Sequence, residues 1–127
     1  MHSGRPGRIA GVDTFGYRGT EDVGEETPPS MRLELTTSAR EDLLDIWAYI
    51  AGHDETAADN YLEELRRRAL ELIKHPELGR KRDEVIPGIR SLLFRNHLIF
   101  YRVETSAIQV LRILHGNLDL KQADYPR

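Results

Sequence analysis

Four arginines fall within the apolar, β-rich runs near the C-terminal end of this chain: Arg90, Arg95, Arg102 and Arg112. A guanidinium grips carboxylate or phosphate through two parallel hydrogen bonds, so such residues suit an anionic partner. Strict alternation puts Arg102 on the parity of Leu98 and Phe100, and Arg112 on that of Ile108, Val110 and Leu114. Neither run has a clean polar face. Each arginine must therefore emerge at an edge, pair internally or await a partner. His115 closes the last run just before Gly116. Its reference pKa suits a general acid or base, and it suits equally a turn histidine bonded to backbone. His53, His75 and His97 sit near element ends, without the HxH or HxxxH spacing of a histidine metal site. No metal and no cofactor is expected.

Two basic triplets, Arg66-Arg67-Arg68 and Arg80-Lys81-Arg82, are each too short to define a nucleic-acid site. Asp42 and Asp45 point away from the apolar stripe of their helix and read as surface. There is no phosphate-cradling glycine loop and no GxSxG elbow. The chain has no cysteine, which excludes disulfides, thiolate metal sites and cysteine nucleophiles. Its formal charge of −3 excludes a uniformly basic coat but not a local basic patch. The charge is in fact divided along the chain. Residues 31–64 carry nine acids and two bases, a balance of −7, whereas residues 65–127 carry seven acids and thirteen bases, a balance of +6. The second half thus suits an acidic or anionic partner.

The elements that must position these groups follow from periodicity. Residues 32–36 alternate as a short strand. Ser38 with Glu41 has the spacing of a capping box. Ala39, Leu43, Ile46, Trp47 and Ile50 then form one helical face, with Trp47 as core, and Gly52 is a plausible stop. A second helix begins near Asp54–Thr56 and keeps Ala58, Tyr61, Leu62, Leu65, Ala69, Leu72 and Ile73 on one face. His75-Pro76 ends it, because the residue before proline avoids helical angles. Residues 76–88 read as a loop. Ile89–Arg95, His97–Val103 and Ala107–His115 read as three strands joined by gaps short enough for hairpins. The expected fold class is α+β: a small antiparallel four-stranded sheet, in the order β-α-α-β-β-β, packed by an N-terminal helical hairpin.

Residues 1–30 hold six glycines and three prolines and no amphipathic period. They bury too little to offset chain entropy, so we expect a disordered leader, or a start assigned upstream of a working start at Met31. The folded domain is expected over 31–127. No apolar run reaches membrane-spanning or signal-peptide length, and the expected location is the cytoplasm.

The motif order resembles the RelE/ParE toxin superfamily of bacterial type II toxin–antitoxin systems, nearest the ParE branch. The resemblance rests on SAREDLLDIWAYIA, AADNYLEELRRRALELIKHPELGR, IPGIRSLL, HLIFYRV and IQVLRILHGNLD, over about residues 32–119. It implies a toxin neutralised by a ParD-like or similar DNA-binding antitoxin encoded beside it. It also implies the target: DNA gyrase for the ParE branch, or messenger RNA on the ribosome for the RelE branch. A ribonuclease would draw its catalytic groups from Arg90, His115 and Tyr125. Leu98 and Leu118, however, are apolar where that branch carries basic residues, which favours a gyrase inhibitor acting by binding rather than covalent chemistry. A third alternative is an inactive member that only binds its antitoxin. The target-binding candidates are Lys81, Arg82, Arg90, Arg95, Arg102, Arg112 and His115. The antitoxin-binding candidates are Trp47, Ile50, Tyr61 and Leu65.

Overall fold

The computed structural model describes residues 31–117, 123, 125 and 126. The expectations for residues 1–30 and for Leu118 lie outside them. The elements run β1 (Leu33–Leu35), α1 (Thr37–Ala51), α2 (Glu55–Lys74), β2 (Arg80–Lys81), β3 (Ile89–Phe94), β4 (His97–Val103) and β5 (Ile108–His115). The class is α+β, as expected, but the sheet has five strands rather than four and is mixed rather than antiparallel. Its order is β1-β5-β4-β3-β2, with β1 parallel to β5 and the other pairs antiparallel. The extra strand is Arg80–Lys81, inside the stretch expected to be loop. Alternation reveals that a strand exists. It does not reveal which neighbour the strand pairs with or in which direction, and a two-residue strand has no period to read.

The first helix is capped differently from the expectation. Thr36, not Ser38, is the N-cap; its side chain accepts from Ala39 N, and its hydroxyl donates to the Leu111 carbonyl at 2.8 Å. One residue therefore starts the helix and ties it to β5. Asp54 caps α2 by accepting from Ala57 N, and Gly52 closes α1.

A bulge in β5 decides which side chains reach which face. Tyr101 pairs with Val110 and Phe100 pairs with Arg112, which leaves Leu111 as the extra residue. Beyond it the parity flips. Ile108 and Val110 face the helices, whereas Leu111 and Leu114 join the apolar cluster on the opposite face. Arg112 pairs with Phe100, so it does not share the parity of Val110 as strict alternation required.

Both faces of the sheet are covered in part. The helical hairpin packs over Leu33, Leu92, Ile99, Tyr101, Ile108 and Val110. On the other face Ile89, Leu98, Phe100, Leu111 and Leu114 are buried with Tyr125, under Val85, Ile86 and Ala123. Leu98, Ile99, Phe100 and Tyr101 are consecutive and all buried, which is why β4 shows no polar face in sequence. At one corner Gly79 lets the chain pass against Tyr101. Gly79 N donates to the Tyr101 oxygen at 2.8 Å, and the Tyr101 hydroxyl donates to the Pro76 carbonyl at 2.7 Å. A Cβ at position 79 would come within 2.6 Å of Tyr101 Cε1 and 2.8 Å of the Ser91 carbonyl.

Candidate functional site on the open sheet face

The face turned away from the helices gathers cations around an apolar centre. Arg102 pairs in register with Ile89 and Gln109, and Ile89 belongs to the cluster on this face. Arg82 lies just past β2 and donates from Nε to Ser91 Oγ at 2.9 Å, with Glu84 3.3 Å from its Nη1. Arg112 joins them across the Phe100 pairing. Tyr125 returns from the C-terminal tail and sets its ring edge-on against Phe100, with centroids 5.3 Å apart. Burial pushes the Tyr125 phenol above its ordinary pKa, and the positive charges of Arg112 and Arg82 oppose that rise without cancelling it. Leu93 extends the surface and is 59% exposed.

Asp42 is not on the surface. It is 8% exposed, and its two oxygens accept from Arg112 Nε at 2.8 Å and Nη2 at 2.9 Å. Asp42 Oδ2 also accepts from the backbone N–H of Ile113 at 2.9 Å. The cause lies in the sheet. β1 ends at Leu35, so the outer edge of β5 loses its neighbour beyond Val110. Thr36 N meets the Val110 carbonyl, Thr36 Oγ1 meets the Leu111 carbonyl, and Asp42 meets Ile113 N. The helix thus completes the edge pairing with side chains, and Arg112 neutralises the carboxylate that does so. Of the three fates open to Arg112, internal pairing is the one observed.

The groups a ribonuclease would need are not brought together. Arg90 faces the helix side, where its Nη1 donates to the carbonyls of Gly79 at 2.7 Å and Glu77 at 3.3 Å. Tyr125 is buried on the opposite face. His115 is exposed at the far end of β5, opposite His97, and its Nδ1 accepts from Asn117 N at 3.1 Å. Arg90 pairs with Tyr101 and His115 with His97, so the two lie four residues apart along β4 and two strands apart across it. That separation is on the order of 15 Å.

His97 holds the remaining polar contacts at that end. Its Nδ1 hydrogen-bonds the Tyr61 hydroxyl at 2.7 Å, and its ring meets the His115 ring edge-on at 5.4 Å. Burial and the neighbouring His115 push its pKa down, with Asp42 pulling the other way. Arg95, at φ 54°, stacks over the rings of Tyr61 and Phe94 and pairs with Glu64. Lys81 lies on β2 beside Arg90. Among the described residues no group of three or more His, Cys, Asp or Glu side chains is placed to hold a metal ion, and no helix is long and apolar enough to cross a membrane.

The candidates on the hairpin divide. Leu65 is fully buried and offers no surface. Trp47, Ile50 and Tyr61 are half-buried. Trp47 is therefore a rim residue rather than core, and its indole N–H donates to Asp59 at 2.9 Å, tying α1 to α2. The helix surface that sequence reasoning missed is the outward side of α1, where Tyr49 is 77% exposed and Leu44 36%. Both lie off the apolar stripe, and that displacement was the available signal.

A family model described as the ParE toxin of the type II toxin–antitoxin system parDE matches residues 33–120. The chain belongs to the ParE toxin family. It is 29% identical over 85 residues to Toxin RelE3 of Caulobacter vibrioides, covering 66% of this chain and 92% of that protein. Among solved structures it is similar to a chain of the chromosomal ParDE toxin–antitoxin system of P. aeruginosa, at 28% identity and a TM-score of 0.59, over 68% of this chain and 96% of that one. This ParE-family chain is thus a toxin of the RelE/ParE superfamily. All five strands and both helices described above fall within or at the border of the matched span.

Proposed function

We propose that the protein is the gyrase-inhibiting toxin of a toxin–antitoxin pair in the cytoplasm, acting on DNA gyrase by binding and held silent by an acidic antitoxin segment. The observation that carries this reading is the arrangement of the open face. It places Arg82 and Arg102 beside an apolar centre, with Arg112 turned to Asp42, while Arg90, His115 and Tyr125 occupy three separate places. A surface of that kind binds. Arg90, His115 and Tyr125, the groups expected of a ribonuclease, do not come within reach of one atom, as phosphodiester cleavage by them would require. The antitoxin is expected to cover the Trp47 and Tyr61 side of the hairpin and part of the sheet, its acidic residues meeting the basic second half of the chain.

The reading is tested by adding the purified protein to gyrase and relaxed plasmid. Loss of supercoiling, with cleaved DNA trapped on the enzyme, supports it. Unimpaired supercoiling, together with ribosome-dependent cleavage of messenger RNA in a parallel translation reaction, replaces it with the RelE-like alternative. That alternative draws its support from the exposed His115 and from the likeness to Toxin RelE3. If neither activity is found and antitoxin still binds, the inactive-member alternative holds.

A further inference from the structure

Lys81 and Arg90 are direct cross-strand partners in the β2–β3 pair. Like charges placed directly opposite one another repel and weaken a ladder. Neither has a counter-ion: among the described residues no carboxylate oxygen lies within 4.0 Å of either cation. Arg90 uses only Nη1, on two backbone carbonyls, which leaves Nε and Nη2 without a hydrogen-bond acceptor among the described residues.

Both side chains line a cleft of about 450 Å³ at the corner beyond the end of α2, on the helix side of the sheet. Helix α2 stops at Lys74, so among the described residues no helix extends over this corner. Pro76 and Val103 give the cleft an apolar lining, and Val103 is 43% exposed. Glu77 and Asp83 also line it, with Asp83 Oδ1 held by Gly88 N at 2.9 Å. The mixture selects the occupant. Two cations with no carboxylate oxygen of the described residues within 4.0 Å call for an oxyanion between them. Two carboxylates at the same cleft repel a nucleic-acid backbone, which brings a charge with every nucleotide, more than they repel a single carboxylate. The apolar lining calls for an aliphatic neighbour to that carboxylate.

We propose that this cleft is an anchor pocket for one acidic side chain of an extended partner segment. Its carboxylate bridges Lys81 and Arg90, and an adjacent aliphatic residue covers Val103 and Pro76. The proposal rests on the reading of an acidic antitoxin and assigns the place where that segment is gripped.

The test uses the full chain and N-acetyl-Leu-Glu-Leu-amide as probe, followed through the side-chain resonances of Arg90 Nε–H and Lys81 Cε. The expected result is saturable shifts of both, at least tenfold weaker binding for Lys81→Met, and no binding of N-acetyl-Leu-Gln-Leu-amide. Because the free chain carries an unrelieved repulsion, Lys81→Met is also expected to raise its thermal midpoint. Three results overturn the proposal: equal binding of the Glu and Gln peptides, undiminished binding by Lys81→Met, or tighter binding of a uridine pentanucleotide at the same resonances, which would make the cleft a phosphate site. A lowered midpoint for Lys81→Met would remove the repulsion on which it stands. Gyrase inhibition by the free chain is read separately, so failure of the pocket and failure of the gyrase reading are told apart.

Discussion

Asp42 and Arg112, seventy positions apart, form a two-point ion pair at 2.8 and 2.9 Å that finishes the exposed edge of the sheet. Asp42 also takes the N–H of Ile113, so one carboxylate serves a guanidinium and an edge strand at once. Removing it takes from Arg112 its two-point partner and leaves the Ile113 N–H without its acceptor in a nearly buried place. The expected cost of Asp42→Ala is about 2–4 kcal/mol, read as a lower urea midpoint with an unchanged slope. Replacing Arg112 by Met strands the carboxylate instead and should cost a similar amount. The double variant should cost less than the two singles added together, because each single already breaks the shared pair.

The Gly79 corner predicts a second loss of stability. Gly79→Ala puts a methyl against the Tyr101 ring and against the Ser91 backbone, which cannot move aside cheaply. Tyr101→Phe keeps the packing but leaves Gly79 N and the Pro76 carbonyl without their partner. We expect about 1–3 kcal/mol for the phenylalanine variant and more for the alanine variant. Thermal unfolding of the two against the parent chain measures this.

The histidine pair sets a pH dependence. His97 is held below its ordinary value of 6.5, first by burial and then by His115. A histidine depressed in the fold takes up its proton more readily in the unfolded chain. Its contribution is therefore fully present above pH 6.5 and is lost as the pH falls through the folded value. His97→Gln should flatten the stability profile on the acid side of neutrality. An unchanged slope in that variant would show that other groups carry the dependence.

The open face predicts how binding is shared. If Arg82 and Arg102 meet the gyrase surface, each alanine variant should weaken inhibition by roughly tenfold or more, the size of one charged hydrogen bond. Dose–response curves for supercoiling inhibition would measure it. Arg90→Ala should matter little to gyrase, since Arg90 faces the other side of the sheet.

Much of this fold was legible in the residues. The two amphipathic helices, their stop at His75-Pro76 and the three C-terminal strands all stood at the expected places. What escaped was of one physical kind, contacts between elements remote in sequence. The parallel pairing of Leu33 with Ile108 leaves no local trace. The Leu111 bulge shifts Arg112 and Leu114 to the other face, and the apolar doublet Val110-Leu111 is its mark in the sequence there. Asp42 looks like a surface acid because it sits off the apolar stripe of α1, and only the edge of β5 explains its burial. Site residues suffered most. Tyr125, a catalytic candidate under the ribonuclease reading, packs on Phe100 through a contact that leaves no local trace in the sequence. Arg90 and His115 share a sheet yet sit at opposite corners of it.

The most direct test of the account is induction of the chain alone in a bacterial host, with gyrase-linked DNA breaks and messenger RNA decay counted separately in the same culture. The account predicts growth arrest with DNA breaks and intact messenger RNA, relieved by co-expression of an acidic antitoxin. Arrest with rapid, ribosome-dependent cleavage of messenger RNA and unbroken DNA would contradict it.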